Sequence, residues 1–284
     1  VASAPPTADG LTVADQMLVE LPEDAATGEI AGIYEEIRQL WAVPYVSSLQ
    51  RHLATKPGWL EWSWAALNPA FRSGQAQDAG WRVATDLPLP PLASFDAREF
   101  GLSGGDLRLV AQVCAGFVRV APVNLMFAGL LRHLLAEERP QGAGWPGAGW
   151  QPPEALPVLP TMLDPALADE DTRTSLLKLG TDVDGTPFVP GLYRILARWP
   201  AYFSHLARVL VPLFTAPGTD AARVALLAGV DGAVVELFAQ LPPIPDAAMP
   251  DMAEIPAILS ALDTYRGTSP EMVIFGRLIS DALK

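Results

Sequence analysis

A block of 28 residues occurs twice in this chain. Residues 44–71, PYVSSLQRHLATKPGWLEWSWAALNPAF, return as residues 187–214, PFVPGLYRILARWPAYFSHLARVLVPLF, without a gap and at a constant offset of 143. Ten positions are identical, among them Pro44/Pro187, Leu49/Leu192, Arg51/Arg194, Pro57/Pro200 and Phe71/Phe214. A period this long exceeds any solenoid unit and points to a duplicated, domain-sized element inside one chain. A second pair agrees. Residues 121–135, APVNLMFAGLLRHLL, line up with residues 269–283, SPEMVIFGRLISDAL, matching Pro122/Pro270, Phe127/Phe275, Leu130/Leu278 and Leu135/Leu283.

The periodicity is helical throughout, with weak strand signals. Ile30, Ile33, Tyr34, Ile37 and Leu40 recur at helical spacing. In the repeat, helices are expected to start at Pro44 and Pro187, to break at Pro57 and Pro200, and to stop near Pro69. Residues 102–120 read as a long apolar helix capped by Ser103, and Pro122 as the start of another. Two last helices are expected at 254–265 and 269–283, and a turn at 180–185. Residues 136–168 are dense in Pro and Gly and aperiodic, hence a linker, with Trp145 and Trp150 expected to pin it down. The predicted fold is therefore all-α: an intramolecular pseudodimer of two similar helical halves with a pocket between them. Its parts are an N-terminal arm (1–27), a first repeat (28–135), the linker (136–168) and a second repeat (169–284).

With 284 residues, half of them apolar, the chain can bury a full core. A net charge of −13 argues against nucleic acid and against an anionic membrane surface. The lone Cys114 excludes an internal disulfide, a thiolate metal cluster and dithiol redox chemistry, and fits a reducing cytoplasm. His52, His133 and His205 lack metal-ligand spacing, and no phosphate-binding glycine loop or nucleophile elbow occurs, so neither metal nor cofactor is expected. The N-terminus shows no signal-peptide pattern.

The pattern VPYVSSLQRHLATKPGWL, a PxNL helix, and then PFVPGLYRILARWPAYF resembles the group I 2-haloacid dehalogenases over roughly residues 28–284. The resemblance implies an all-helical pair of halves with the active site between them. It also implies removal of halide from C2 of a small 2-haloalkanoic acid by an activated water, without cofactor. On the family's pattern Asn124 holds the water, and the activating aspartate falls on Leu192, which cannot take a proton. Asp182, Asp184 and Glu61 are the substitute bases to examine. Their bland reading is a solvated loop or helix face.

A single asymmetric site should use positions where the copies differ: Ser48 against Gly191, Gln50 against Tyr193, His52 against Ile195, Asn124 against Met272. Arg51 and Arg194, kept in both, read as structural. Helix N-termini at Pro44 and Pro187 are expected to offer free N–H groups to a carboxylate. Trp41, Tyr45, Ser48, Gly191, Leu192, Tyr193 and Tyr265, with Phe117, are the candidate substrate walls. The expected partner is a small carboxylic acid, and a homodimer is compatible with the chain. Two rival readings stand beside hydrolysis: a lapsed or repurposed homologue that binds a small acid, and a helical interaction scaffold.

Overall fold

A computed structural model describes residues 18–136, 138–145, 149–183, 186–244 and 250–283, with no side-chain description at 182, 183, 186 and 187. The first part of the chain forms α1 (Gly28–Trp41), α2 (Ser48–Leu53), α3 (Trp59–Arg72), α4 (Gln75–Thr85) and α5 (Gly104–Leu135). The second forms α6 (Glu170–Lys178), β1 (Thr181–Val183), β2 (Thr186–Phe188), α7 (Gly191–Leu196), α8 (Pro200–Leu210), α9 (Pro217–Gln240) and α10 (Ile255–Ala282). The fold is all-α with one small antiparallel hairpin, in which Thr181 pairs with Phe188 and Asp182 with Pro187.

The core is built on α5 and α10, which pack along one another more extensively than any other two elements. The short helices cross over: α2 lies on α10 and α7 lies on α5. Around them α1 packs on α3, α6 on α8, and α4 on α9. An aromatic cluster fills the first part. Phe71 lies 6.0 Å from Trp41, 5.7 Å from Trp64 and 5.9 Å from Phe127 between ring centroids. Each such contact adds roughly 0.5–1.5 kcal/mol to simple burial.

Three expectations need correcting. Pro122 and Pro270 do not open new helices; each lies inside one continuous helix, α5 or α10. A proline here removes one backbone donor and crowds the preceding turn, at a cost of ~3 kcal/mol. Burial offsets this: Val123, Phe127, Leu130, Val273, Ile274 and Phe275 are fully buried around the two prolines. Gly80 fits the same crossing, since a Cβ there would stand 3.2 Å from the Pro122 carbonyl. Second, α2 and α7 begin at Ser48 and Gly191, four residues after Pro44 and Pro187, and Pro187 belongs to β2. Third, α3 runs through Pro69 to Arg72.

Ser103 caps α5 in a capping box with Asp106, as its sequence spacing predicts. By length and hydropathy α5 could cross a membrane, but 72% of its most apolar window is buried inside the fold. The Pro/Gly-rich stretch contains no α-helix among its described residues. Trp150 lies over Gly74, whose positive φ of 78° brings the backbone against the indole. Its Nε1 donates to Asp78 Oδ1 at 3.4 Å.

Candidate active site

Asn124 sits in the middle of α5, 3% exposed. Its Nδ2 donates to Ser47 Oγ at 2.7 Å. Ser47 Oγ also lies 3.0 Å from the Tyr265 hydroxyl, which comes across from α10. The Tyr265 oxygen accepts the backbone N–H of Leu49 at 2.9 Å, using one of the free donors in the first turn of α2. Tyr45 completes this side, with its hydroxyl 3.5 Å from the Gly116 carbonyl. The cluster therefore gathers α2, α5 and α10, and two of its members were not singled out by sequence: Ser47 and the Leu49 N–H.

Two features of this cluster bear on chemistry. Asn124 Oδ1 is buried and has no hydrogen-bond partner among the described residues. A buried amide oxygen left unpaired costs roughly 1–3 kcal/mol, so this atom is poised to accept from water or ligand. The phenols are neutral at ordinary pH. Burial pushes Tyr265 up; Ser47, Ser48 and the Leu49 N–H lower it in part, and Glu20 raises it further. Burial also pushes up Tyr45, with Tyr265 adding to the effect. Tyr265 thus keeps its hydroxyl proton at ordinary pH.

The residues expected on α7 form a different, apolar set. Gly191 opens the helix, and Leu192 and Tyr193 are fully buried. A Cβ on Gly191 would stand 2.6 Å from Met162 Cε and 3.2 Å from Phe117 Cζ, so the thioether and the ring close over this helix start. The Tyr193 hydroxyl is buried without a partner among the described residues, and its ring lies 6.4 Å from Phe214. No hydrogen bond among the described residues links the α7 set to Asn124. Trp41, at the end of α1, is fully buried against Phe71, with Nε1 unpaired among the described residues.

The substitute bases fare unevenly. Asp184 and the Asp182 side chain lie outside the described residues. Glu61 is in the first turn of α3; its Oε2 is buried and, among the described residues, unpaired and without a bond to the Asn124 cluster. Glu271, on α10, is a buried carboxylate that sequence reading passed over. It accepts from Thr181 Oγ1 at 3.2 Å and pairs with Arg223 at 3.4 Å. Burial raises its pKa, and Arg223 and Thr181 oppose that only in part.

The open clefts are elsewhere. One of about 500 Å³ lies between α4 and α9, and one of about 310 Å³ between α5, α9 and α10, rimmed by the Arg132–Asp263 and Arg266–Asp231 pairs. Neither lining includes Asn124, Ser47 or Tyr265. Shape alone carries no chemistry, so the buried amide and hydroxyl cluster is the better candidate.

The architecture is that of an all-helical dehalogenase. A D-2-haloacid dehalogenase mutant in complex with D-2-CPA superposes with a TM-score of 0.70 at 17% identity, covering 96% of this chain and 98% of that one. A D-2-haloacid dehalogenase complex with L-LA gives 0.69 at the same identity and coverage. At the sequence level the chain is 30% identical over 217 residues to an (R)-2-haloacid dehalogenase of Rhizobium sp. (strain NHG3), covering 69% of this chain and 79% of the relative. It is 22% identical to an (R)-2-haloacid dehalogenase of Pseudomonas putida, over 74% of this chain and 73% of the relative. A configuration-inverting 2-haloacid dehalogenase of Alcaligenes xylosoxydans xylosoxydans is 25% identical, over 71% of each chain. No protein-family model matches. The chain belongs to the 2-haloacid dehalogenase family.

Proposed function

We propose that this protein is a cofactor-independent 2-haloacid dehalogenase. Water held by Asn124 attacks C2 of a small 2-haloalkanoic acid, and halide leaves from the opposite face. Family membership supports the reaction class. The single observation that carries the site is the buried, unpaired Asn124 Oδ1, whose partner amide nitrogen is fixed on Ser47. A carboxamide fixed at one end presents its oxygen in one direction. It therefore orients a water without reorganising during the reaction, which is where most of the benefit of such a group arises.

The chain is read here as two copies of one helical unit. Supporting this are the crossed packing of α2 on α10 and α7 on α5, and two matching backbone contacts: Leu21 N–H to Arg51 O at 3.0 Å, and Leu163 N–H to Arg194 O at 3.1 Å. In this reading Tyr265 and Phe117 are equivalent, each five residues before the buried proline of its long helix. Tyr265 meets the start of α2 and Phe117 the start of α7. The polar version of the site is thus on α2 and the apolar version on α7. A fully buried, unreactive Cys114 is compatible with a cytoplasmic enzyme.

A second reading is favoured by Leu192, a fully buried apolar residue where the resemblance puts the aspartate: a homologue that binds a small acid without turning it over. Chloride release from racemic 2-chloropropionate, followed alongside calorimetric binding of the same acid, separates the two. Release above the uncatalysed rate supports the dehalogenase. Binding without release supports the second reading.

A further inference from the structure

Residues 47–50, SSLQ, have the spacing of a capping box, with a serine at the N-cap of α2 and a glutamine at its third position. In such a box the serine hydroxyl accepts the N–H of the third residue, and the glutamine amide reaches back to the N–H of the cap. The box at Ser103 and Asp106 is made in full. On α2 neither arm is made. Ser47 gives the helix no side-chain bond; its hydroxyl is turned to Asn124 Nδ2 at 2.7 Å and to the Tyr265 hydroxyl at 3.0 Å. The Gln50 side chain is fully buried, and neither Oε1 nor Nε2 has a hydrogen-bond partner among the described residues. Either orientation of the amide leaves both ends unpaired.

Three residues apart at a helix start, Ser47 and Gln50 stand on one face, with Cβ atoms about 5–6 Å apart. The Gln50 carboxamide is therefore beside the Asn124, Ser47 and Tyr265 cluster. The charged side chains of α2 are turned to the incoming segment instead: Arg51 Nη2 lies 2.6 Å from Glu20 Oε2, and His52 Nδ1 lies 2.8 Å from the Val19 carbonyl oxygen. The equivalent of Gln50 in the second copy is Tyr193, whose hydroxyl is also buried and unpaired among the described residues. Burying an unpaired polar group weakens a fold, so a ligand that pairs it is the natural reason to keep one.

We propose that Gln50 binds the carboxylate of the 2-haloacid; this rests on the dehalogenase reading. Nε2 carries two N–H groups and no charge. It donates to one carboxylate oxygen of the acid, and a hydrogen bond to an ionised acceptor is about twice as strong as one between neutral groups. Oε1 accepts from water beside the acid. A buried guanidinium would need a counter-charge before the acid arrives, and a neutral amide needs none. The two carboxamides divide the work: Gln50 holds the acid, and Asn124 Oδ1 holds the water that attacks it.

The test uses the full chain with Gln50→Met, which keeps the length of the side chain and removes both polar ends, and Gln50→Glu, which cannot donate and repels the acid. Chloride release from 2-chloropropionate gives kcat and KM. Calorimetry gives the Kd of lactate and of lactamide, its neutral counterpart, and Tm is read on the ligand-free protein. In Gln50→Met, KM and the lactate Kd are expected to rise about 10–100-fold, with kcat changed far less and the preference for lactate over lactamide lost. Its ligand-free Tm should rise by about 2–6 °C, since an unpaired buried amide has gone. Gln50→Glu should bind lactate more weakly still. Parental KM and an unchanged lactate preference in Gln50→Met would overturn the inference and leave the dehalogenase reading intact. A lower ligand-free Tm in that variant would also overturn it, because the amide would then serve the fold. A parent that binds lactate but releases no chloride would sink the dehalogenase reading, and lactate binding by the variants would still decide the role of Gln50. A parent that does neither would overturn both.

Discussion

Replacing Tyr265 with Phe isolates the hydroxyl that joins α10 to α2. The ring is kept, and Phe117, which stands five residues before Pro122 as Tyr265 stands five before Pro270, shows a phenyl ring at the matching place on α5. Two contacts disappear: the bond accepted from the Leu49 N–H at 2.9 Å and the contact with Ser47 Oγ at 3.0 Å. Ser47 retains Asn124 as a partner. Leu49 is fully buried, and its N–H lies in the first turn of α2, where no intrahelical acceptor exists. One buried donor is therefore left unsatisfied, which costs roughly 1–3 kcal/mol. For a chain of this size that lowers Tm by about 2–6 °C, at roughly 2 °C per kcal/mol. Scanning calorimetry gives the stability change and halide release gives the rate. A variant within about 0.5 kcal/mol of the parent, a change no larger than a neutral surface substitution, and with full activity, would refute the assignment of this hydroxyl.

Asn124→Ala should remove the water-holding amide and lower kcat far more than KM, while Ser47 keeps its contact to Tyr265; a change in KM alone would mean that Asn124 serves binding. Glu271 gives a prediction in pH. Its carboxyl has a folded pKa raised by burial, so the native state holds a proton that the unfolded state has lost between the two values. Stability should therefore fall as pH rises from the usual glutamate range through the folded pKa. Glu271→Gln is expected to flatten that decline and gain Tm at neutral pH with little change in acid. A Tm loss at neutral pH would show that the Arg223 pair outweighs the burial cost.

Much of the architecture is legible in the sequence because period and repetition are global signals. Ile33, Ile37, Leu49, Leu53, Leu192 and Leu196 recur at helical spacing and are all buried. Local grammar is the weaker guide. Proline normally marks a helix end, yet Pro122 and Pro270 lie within α5 and α10 because the surrounding apolar residues are buried between those two helices. The hairpin at 181–188 has strands of three residues each, too short to show alternation. At the site, Asn124 and Ser48 can be named from the repeat, since each differs from its counterpart, and Tyr265 only as an aromatic wall. Ser47 stands against Pro190 and carried the same signal.

The proposed reaction requires water, rather than a protein oxygen, to attack C2. A single turnover in ¹⁸O-enriched water, with enzyme in excess over 2-chloropropionate, reads this directly by mass spectrometry of the product. Water attack predicts one ¹⁸O in the C2 hydroxyl of the lactate formed in the first turnover, with one chloride released per acid consumed. Unlabelled lactate from that first turnover, its oxygen drawn from a carboxylate of the chain, would contradict it.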